Sequence, residues 1–396
     1  MLRTLLLSSA IALALTACGD RTAPESTMPA SDTATAAPTE NALFTASTLP
    51  FQAPPFDKLK DADYQPAIEE GMKQHLAEIR TIADNTEAPT FENTIEAMER
   101  SGELLTRSIN VFFMLTGANT NETLQGVEEA LAPKLAEHSD AIYLDPALFA
   151  RVKTLYDQRE TLGLDAEQRT VLEHTHDGFV RAGALLNEAD KAELRKLNAE
   201  SSTLSTAFGN KLLAANNAGG VFVTDVAELD GLDEGAIAAA ADAAKAAGKD
   251  GQWLLSLQNT TQQPVLASLK NRALRERVLA ASTGRTEQGD ANDTRATIQR
   301  LAELRARQAQ LLGFPNYAAY SIADQMAKTP EAALKLLTDT VPAATARARA
   351  ELAKIQGVVD AQNGGFTAGA ADWDFYAEQV RKAEFDLDES QIKPYF

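Results

Sequence analysis

Four histidines, at positions 75, 138, 174 and 176, are the chain's whole stock of imidazole, and Cys18 is its only thiol. A hydrolytic zinc centre carried on one helix sets two histidines four residues apart with a glutamate between them. Both rings then bind the ion while the carboxylate activates its water. No histidine here has another at the fourth position after it. His174 and His176 form an HxH pair, but two residues along a helix turn the rings about 200° apart, which fits a polar face beside Glu173 and Asp177 better than a shared metal. Nucleophilic chemistry fares no better, since the chain lacks a GxSxG elbow and its serines and threonines are placed as caps and surface residues. Paired acids such as Glu69-Glu70, Glu128-Glu129 and Asp386/Asp388/Glu389 read as solvated faces in a chain with 56 acidic residues. Gly219-Gly220 and Gly364-Gly365 lack the context of a phosphate loop. The residues by themselves supply no catalytic, cofactor-binding or metal-binding constellation.

Cys18 has a different use. Arg3 is followed by an apolar run from Leu5 to Ala17, too short to span a bilayer core of about 30 Å. The run ends in Leu15-Thr16-Ala17-Cys18, which resembles the lipobox of bacterial lipoproteins. The reading is a leader over 1–17 and lipid attachment at Cys18, giving a membrane-anchored, periplasm-facing envelope protein. Gly19 carries no inner-membrane retention signal, which favours the outer membrane. Lipidation consumes the thiol, so stability must come from packing rather than from a disulfide. From 18 to 47 the chain is Thr, Ala, Ser and Pro with few large apolar residues, which is the composition of a flexible tether.

Behind these residues stand the elements that must position them. At 396 residues, 44% hydrophobic and 23% charged, the chain is globular and long enough for two or three packed units. A net charge of -19 repels a phosphate backbone, and no basic patch offsets it, so nucleic acid is excluded as a partner. Arg272, Arg275, Arg277, Arg300, Arg305 and Arg307 alternate with acids and read as solvated helix faces. Helical spacing dominates. Pro66 opens a helix carrying Ile68, Met72, Leu76 and Ile79; Thr90 caps one running through Ile95, Leu105 and Phe112 to Gly117. Asn187 to Ala215 is the longest pattern, Asn292 to Leu312 repeats it before Gly313, and Thr329-Pro330-Glu331 opens another. Only Val221–Val226 and Trp253–Leu257 look like strands, flanking an Ala-rich segment. The expected fold is mainly α with a small hairpin-like β element.

Several motifs carry a family likeness. Leu311-Leu312-Gly313-Phe314-Pro315-Asn316-Tyr317-Ala318, then Met326-Ala327-Lys328-Thr329-Pro330-Glu331, then Trp373-Asp374-Phe375-Tyr376 through Lys393-Pro394-Tyr395-Phe396 resemble consecutive motifs of the thimet-oligopeptidase family of zinc metallopeptidases. Pro55-Phe56-Asp57, Tyr64-Gln65-Pro66-Ala67, Thr90-Phe91-Glu92-Asn93-Thr94-Ile95 and Asn271-Arg272-Ala273-Leu274-Arg275 resemble landmarks of its bacterial peptidyl-dipeptidase branch.

The resemblance implies a multi-helix, zincin-family amino-terminal body over 48–260, one wall of a channel that admits short peptides. It implies the helical start of the catalytic region over 261–396. In complete members zinc removes carboxy-terminal dipeptides, and the HExxH helix lies downstream of the Lys393-Pro394-Tyr395-Phe396 stretch. The expectation is therefore a chain without zinc of its own, truncated before HExxH and inactive alone, whose partners are a complementary half carrying HExxH and short peptides. The alternative is a non-enzymatic envelope lipoprotein that binds peptides or acts as a scaffold.

Overall fold

The structure, a computed structural model, describes residues 41–385 and Tyr395. The leader, Cys18 and the tether up to residue 40 lie outside the described residues, as do Asp386, Asp388, Glu389 and the terminal motif apart from Tyr395.

Packing starts before the expected end of the tether. Asn41 accepts from the Leu43 N–H to cap a 3-10 turn, Ala42–Phe44, and its amide donates to Asp63 O at 2.7 Å. Leu43 is buried with Tyr64, Ile68, Leu105 and Phe112, and Arg107 donates through Nε and a terminal nitrogen to its carbonyl. The body thus begins at Asn41 rather than at 48. A lone Leu-Phe pair in a Thr/Ala/Ser run is too weak a pattern to announce this; it is held by partners 22 and 64 residues away.

Helix α1 (Asp61–Ala83) likewise starts five residues ahead of Pro66. Proline forfeits one backbone donor within the second turn, a loss that Asp63 helps offset by accepting from the Lys60 N–H at 2.8 Å. Thr90 does cap, accepting from Asn93 N, but it opens a π turn over Phe91–Glu96 that leads into a short α2 (Ala97–Glu99). The single helix expected up to Gly117 is broken at Gly102, where φ is +77°, before α3 (Glu103–Ala118) resumes, with Gly117 inside it.

The chain continues through α4 (Glu122–Tyr143), α5 (Pro146–Asp157), α6 (Ala166–Ala182) and α7 (Glu188–Ala218), the last capped by Asn187 as its sequence requires. Strands β1 (Gly220–Val223) and β2 (Trp253–Ser256) pair antiparallel with Val221 opposite Leu255, and the Ala-rich α8 (Glu234–Ala246) lies between them in sequence. Then come α9 (Asn259–Ser268), α10 (Arg272–Thr283), α11 (Arg295–Leu311), α12 (Tyr317–Ile322), α13 (Pro330–Ala361) and α14 (Trp373–Phe385). The fold is mainly α with one two-stranded hairpin-like element.

Helix α1 packs on α3 and α4 through buried apolar faces, while α4 meets α7 with hydrogen bonds such as Ser202 to Ala132 O and Asn198 to Asp140, and α7 meets α11. Arg300 and Arg307 of α11 each fork onto a glutamate of α7, Glu200 and Glu193, with nitrogen–oxygen distances of 2.6–2.9 Å. These pairs are solvated, so they fix helix register more than they stabilise. A third core joins the hairpin to α8, α9 and α10 through Val223, Leu229, Leu255, Leu266, Leu274 and Val278. That core and α9 both run across residue 260, so the packing does not divide there.

Gly71 lets α1 and α3 meet. A Cβ at this position would lie 2.8 Å from the backbone N and Cα of Leu105. Gly71→Ala is therefore expected to destabilise by about 1–3 kcal/mol through overpacking, read as a lower urea midpoint at unchanged slope.

Candidate functional site

His174 and His176 meet different surroundings, although both lie on α6. His176 stacks on Tyr156, ring centroids 3.7 Å apart and 8° from parallel, with Asp177 Oδ1 at 3.3 Å. His174 points elsewhere, to the rim of a hollow of about 350 Å³ whose floor holds His75, Ser101 and His138. His75 Nδ1 and His138 Nε2 are 3.0 Å apart. Burial pushes both imidazoles below their ordinary range, His138 to about 4. Among the described residues, no group of three or more His, Cys, Asp or Glu side chains is arranged to hold a metal ion. Cys18, the expected lipid attachment residue, lies outside the described residues.

The strongest electrostatic feature is one that sequence reasoning places wrongly. Arg275 is not on a solvated face: it is 1% exposed, and Asp372 is fully buried beside it. Arg275 donates to Asp372 Oδ1 at 2.8 Å and to the carbonyls of Ala371, Leu269 and Lys270, so four acceptors share its guanidinium. Arg272 forks onto the same carboxylate at 3.0–3.2 Å. Phe375 and Phe366 cover the two guanidinium groups at 4.4 Å. Burial alone would raise the Asp372 carboxyl, but Arg272, the Gly369 amide and Arg275 hold it below the usual carboxylate range. Local sequence carries no signal for this cluster, because the partners are 97 residues apart.

Two of the motifs that carry the family likeness follow one another from the end of α11 to the start of α13. Gly313, at φ +79°, ends α11 and turns the chain so that Phe314 meets Tyr320 edge-on at 5.4 Å. Arg181 of α6 sits over Tyr320 at 4.9 Å and pairs with Asp324 at 3.3 Å, anchoring the short α12 to the preceding helical stack. Thr329 then caps α13 by accepting from Ala332 N, with Pro330 as its first residue.

Helix α13 is where the fold leaves a face unpaired. Leu334, Leu337, Val341, Ala344, Ala348, Leu352, Ile355 and Val359 recur at intervals of three and four, one apolar stripe along about seven turns. Its far end is covered by α14, where Ile355 and Val359 are 2% and 0% exposed. Its near end is bare: Leu334, Leu337 and Val341 are 57–60% exposed. The spacing of the stripe is legible in the sequence at 334–359, whereas the Thr329-Pro330-Glu331 signal before it announces only that a helix begins.

Known proteins are similar in sequence to most of the chain. The model of peptidase family M3 matches residues 265–396. Dipeptidyl carboxypeptidase of Escherichia coli (strain K12) is 55% identical over 358 residues, which are 90% of this chain and 53% of that protein. The Salmonella typhimurium (strain LT2) dipeptidyl carboxypeptidase is 51% identical over 90% of this chain and 52% of its own length. Oligopeptidase A of Escherichia coli is 28% identical over 88% of this chain. The chain spans about half the length of the curated relatives it matches.

The two contrasting surfaces differ in their expected response to mutation. Asp372→Ala strips two guanidinium groups of their counter-charge, one of them buried, and should cost roughly 3–5 kcal/mol in a denaturant titration. Leu337→Lys should stay within about 0.5 kcal/mol of the parent in the same assay, because the residue touches water rather than core.

Motif order, the family match over 265–396 and identity above one half with two dipeptidyl carboxypeptidases agree, and the chain belongs to the thimet-oligopeptidase family, peptidase family M3, on its peptidyl-dipeptidase branch.

Proposed function

We propose that residues 41–396 form the helical, non-zinc half of a metallopeptidase that releases carboxy-terminal dipeptides from short peptides. The observation that carries this reading is the bare end of the α13 stripe. The curated relatives hold about as much chain again as the part matched here, enough to cover that face with the region that bears HExxH in complete members. The reading is the same whether that region follows on one polypeptide or arrives as a second one. The described residues would supply a wall and a docking face; zinc, held by the other region, would polarise the scissile carbonyl and activate the attacking water. Cys18 would carry lipid and hold the body at the envelope membrane, facing the periplasm.

Production of residues 41–396 alone and together with the HExxH-bearing region of the Escherichia coli relative tests the proposal. The chain alone is expected to hold no stoichiometric zinc and to release no dipeptide from an amino-blocked peptide with a free carboxy terminus. The pair is expected to do both, and Leu334→Glu with Leu337→Glu should lower the pair's turnover at least tenfold by weakening association. Stoichiometric zinc with turnover by the chain alone would overturn the reading. For the anchor, Cys18→Ala should move the full-length chain from the membrane fraction to the soluble fraction.

A further inference from the structure

The hollow floored by His75, Ser101 and His138 has no part in peptide cleavage as proposed, yet its hydrogen bonds have a fixed direction. The Ser101 hydroxyl donates to Met98 O at 2.7 Å, which spends its only proton. Its oxygen must then accept from His75 Nε2–H, 3.0 Å away. That tautomer leaves His75 Nδ1 bare, so it accepts from His138 Nε2–H at 3.0 Å. His138 is 8% exposed, and its remaining nitrogen, Nδ1, is buried as a lone pair with no partner. The chain of bonds therefore runs from α4 through α1 into the turn before α3 and ends at an acceptor with nothing to accept.

The turn itself is built against this pair. Gly102 has φ +77°, and a Cβ there would come within 3.0 Å of the His75 ring. Its N–H donates to Glu78 Oε2 at 2.7 Å, one helical turn along from His75 on α1.

We propose that the His75–His138 pair is an acid-released latch on the Met98–Gly102 turn. The open nitrogen, His138 Nδ1, is the only place in the chain of bonds where a proton can be added. A proton there creates a buried cation whose new N–H has no acceptor, next to a second imidazole. The ring satisfies that N–H only by turning toward water, which breaks its bond to His75 and releases the turn that His75 and Glu78 hold. The other groups facing the hollow do not supply the missing acceptor. Glu78 of α1 accepts from the Gly102 amide and makes no hydrogen bond to His138; Glu99 of α2, Ser139 and Tyr143 of α4, and His174 and Thr175 of α6 line the hollow, and α3 presents Leu105, Thr106 and Ile109, none of them bonded to His138 Nδ1.

The sign comes from the depressed imidazole. His138 sits at about 4 in the folded chain, from burial and then the nearby His75, against 6.5 when free. Between those values the opened state binds the extra proton, so the latch is closed above pH 6.5 and loosens as pH falls toward 4. Across pH 8 to 4.5 the local opening constant should rise on the order of 50- to 100-fold.

Histidine proton resonances and amide exchange of Gly102, followed with pH in the full chain, test this. The expected result is His138 titrating near 4 and Gly102 protection, corrected for intrinsic exchange, falling by the same factor as the opening constant rises. In His138→Gln, whose amide can still donate to His75 Nδ1 but takes no proton, most of that acid-dependent loss should disappear, leaving only what the buried His75 imidazole contributes. His138 titrating between about 6 and 7, or the same loss of protection in His138→Gln, would overturn the latch. If H138Q does not fold, the titration and exchange of the parent chain decide the matter alone.

Discussion

A carboxylate that never sees water decides how the last third of this molecule is placed. Asp372 is buried, and two guanidinium groups from α10 reach it. Neither charge could be buried alone, because the cost of removing an ion from water is met only when the opposite charge and the remaining donors are both in position. Arg275 satisfies that condition by also reaching the carbonyls of Leu269, Lys270 and Ala371, which mark the end of α9 and the turn into α14. One side chain thus ties the hairpin core to the turn that starts α14. Helix α14 in turn covers the end of α13. The covered end of α13 is thereby tied, through α14, to the hairpin core.

Apolar cores and directional contacts are combined along the whole described body. The cores around Phe112 and Phe179 and the core of the hairpin with α8, α9 and α10 are of similar extent. Arginine–aromatic contacts recur on both sides of α7, as in Arg159 on Tyr156 and Arg275 on Phe375. Where such contacts hold a junction, geometry rather than volume is what a substitution must preserve.

How much of this lies open in the sequence depends on the distance between partners. Caps are local, and Thr90, Asn187, Thr329 and the stop at Gly313 all stand where residue type places them. The two strands are visible because β-branched and apolar residues crowd at 221–226 and 253–257. Interactions across many residues are not visible. Nothing near Arg275 distinguishes it from Arg277, which lies half exposed on the same helix; only the fold brings Asp372 to one and not the other. The same holds for His75 and His138, 63 residues apart, and for the start of the body at Asn41, which depends on Asp63 and Arg107. The break at Gly102 is hidden for a related reason. The apolar spacing on either side continues through it, while the ring of His75 demands a glycine there.

The bare part of α13 is already helical. Thr329 and Pro330 fix its start, and Lys335–Asp339 and Arg347–Glu351 pairs, four residues apart, run along its solvent side. A segment that had to fold on contact would subtract its ordering entropy from any association. Here that cost is met by the capping and by the docked end beneath α14, before anything arrives. The face is therefore a rigid template with a defined pitch. On the proposed reading, the covering region would engage only the bare turns from Val341 to Leu334, since Ile355 is already covered by α14, and the loss of freedom would fall on that region alone.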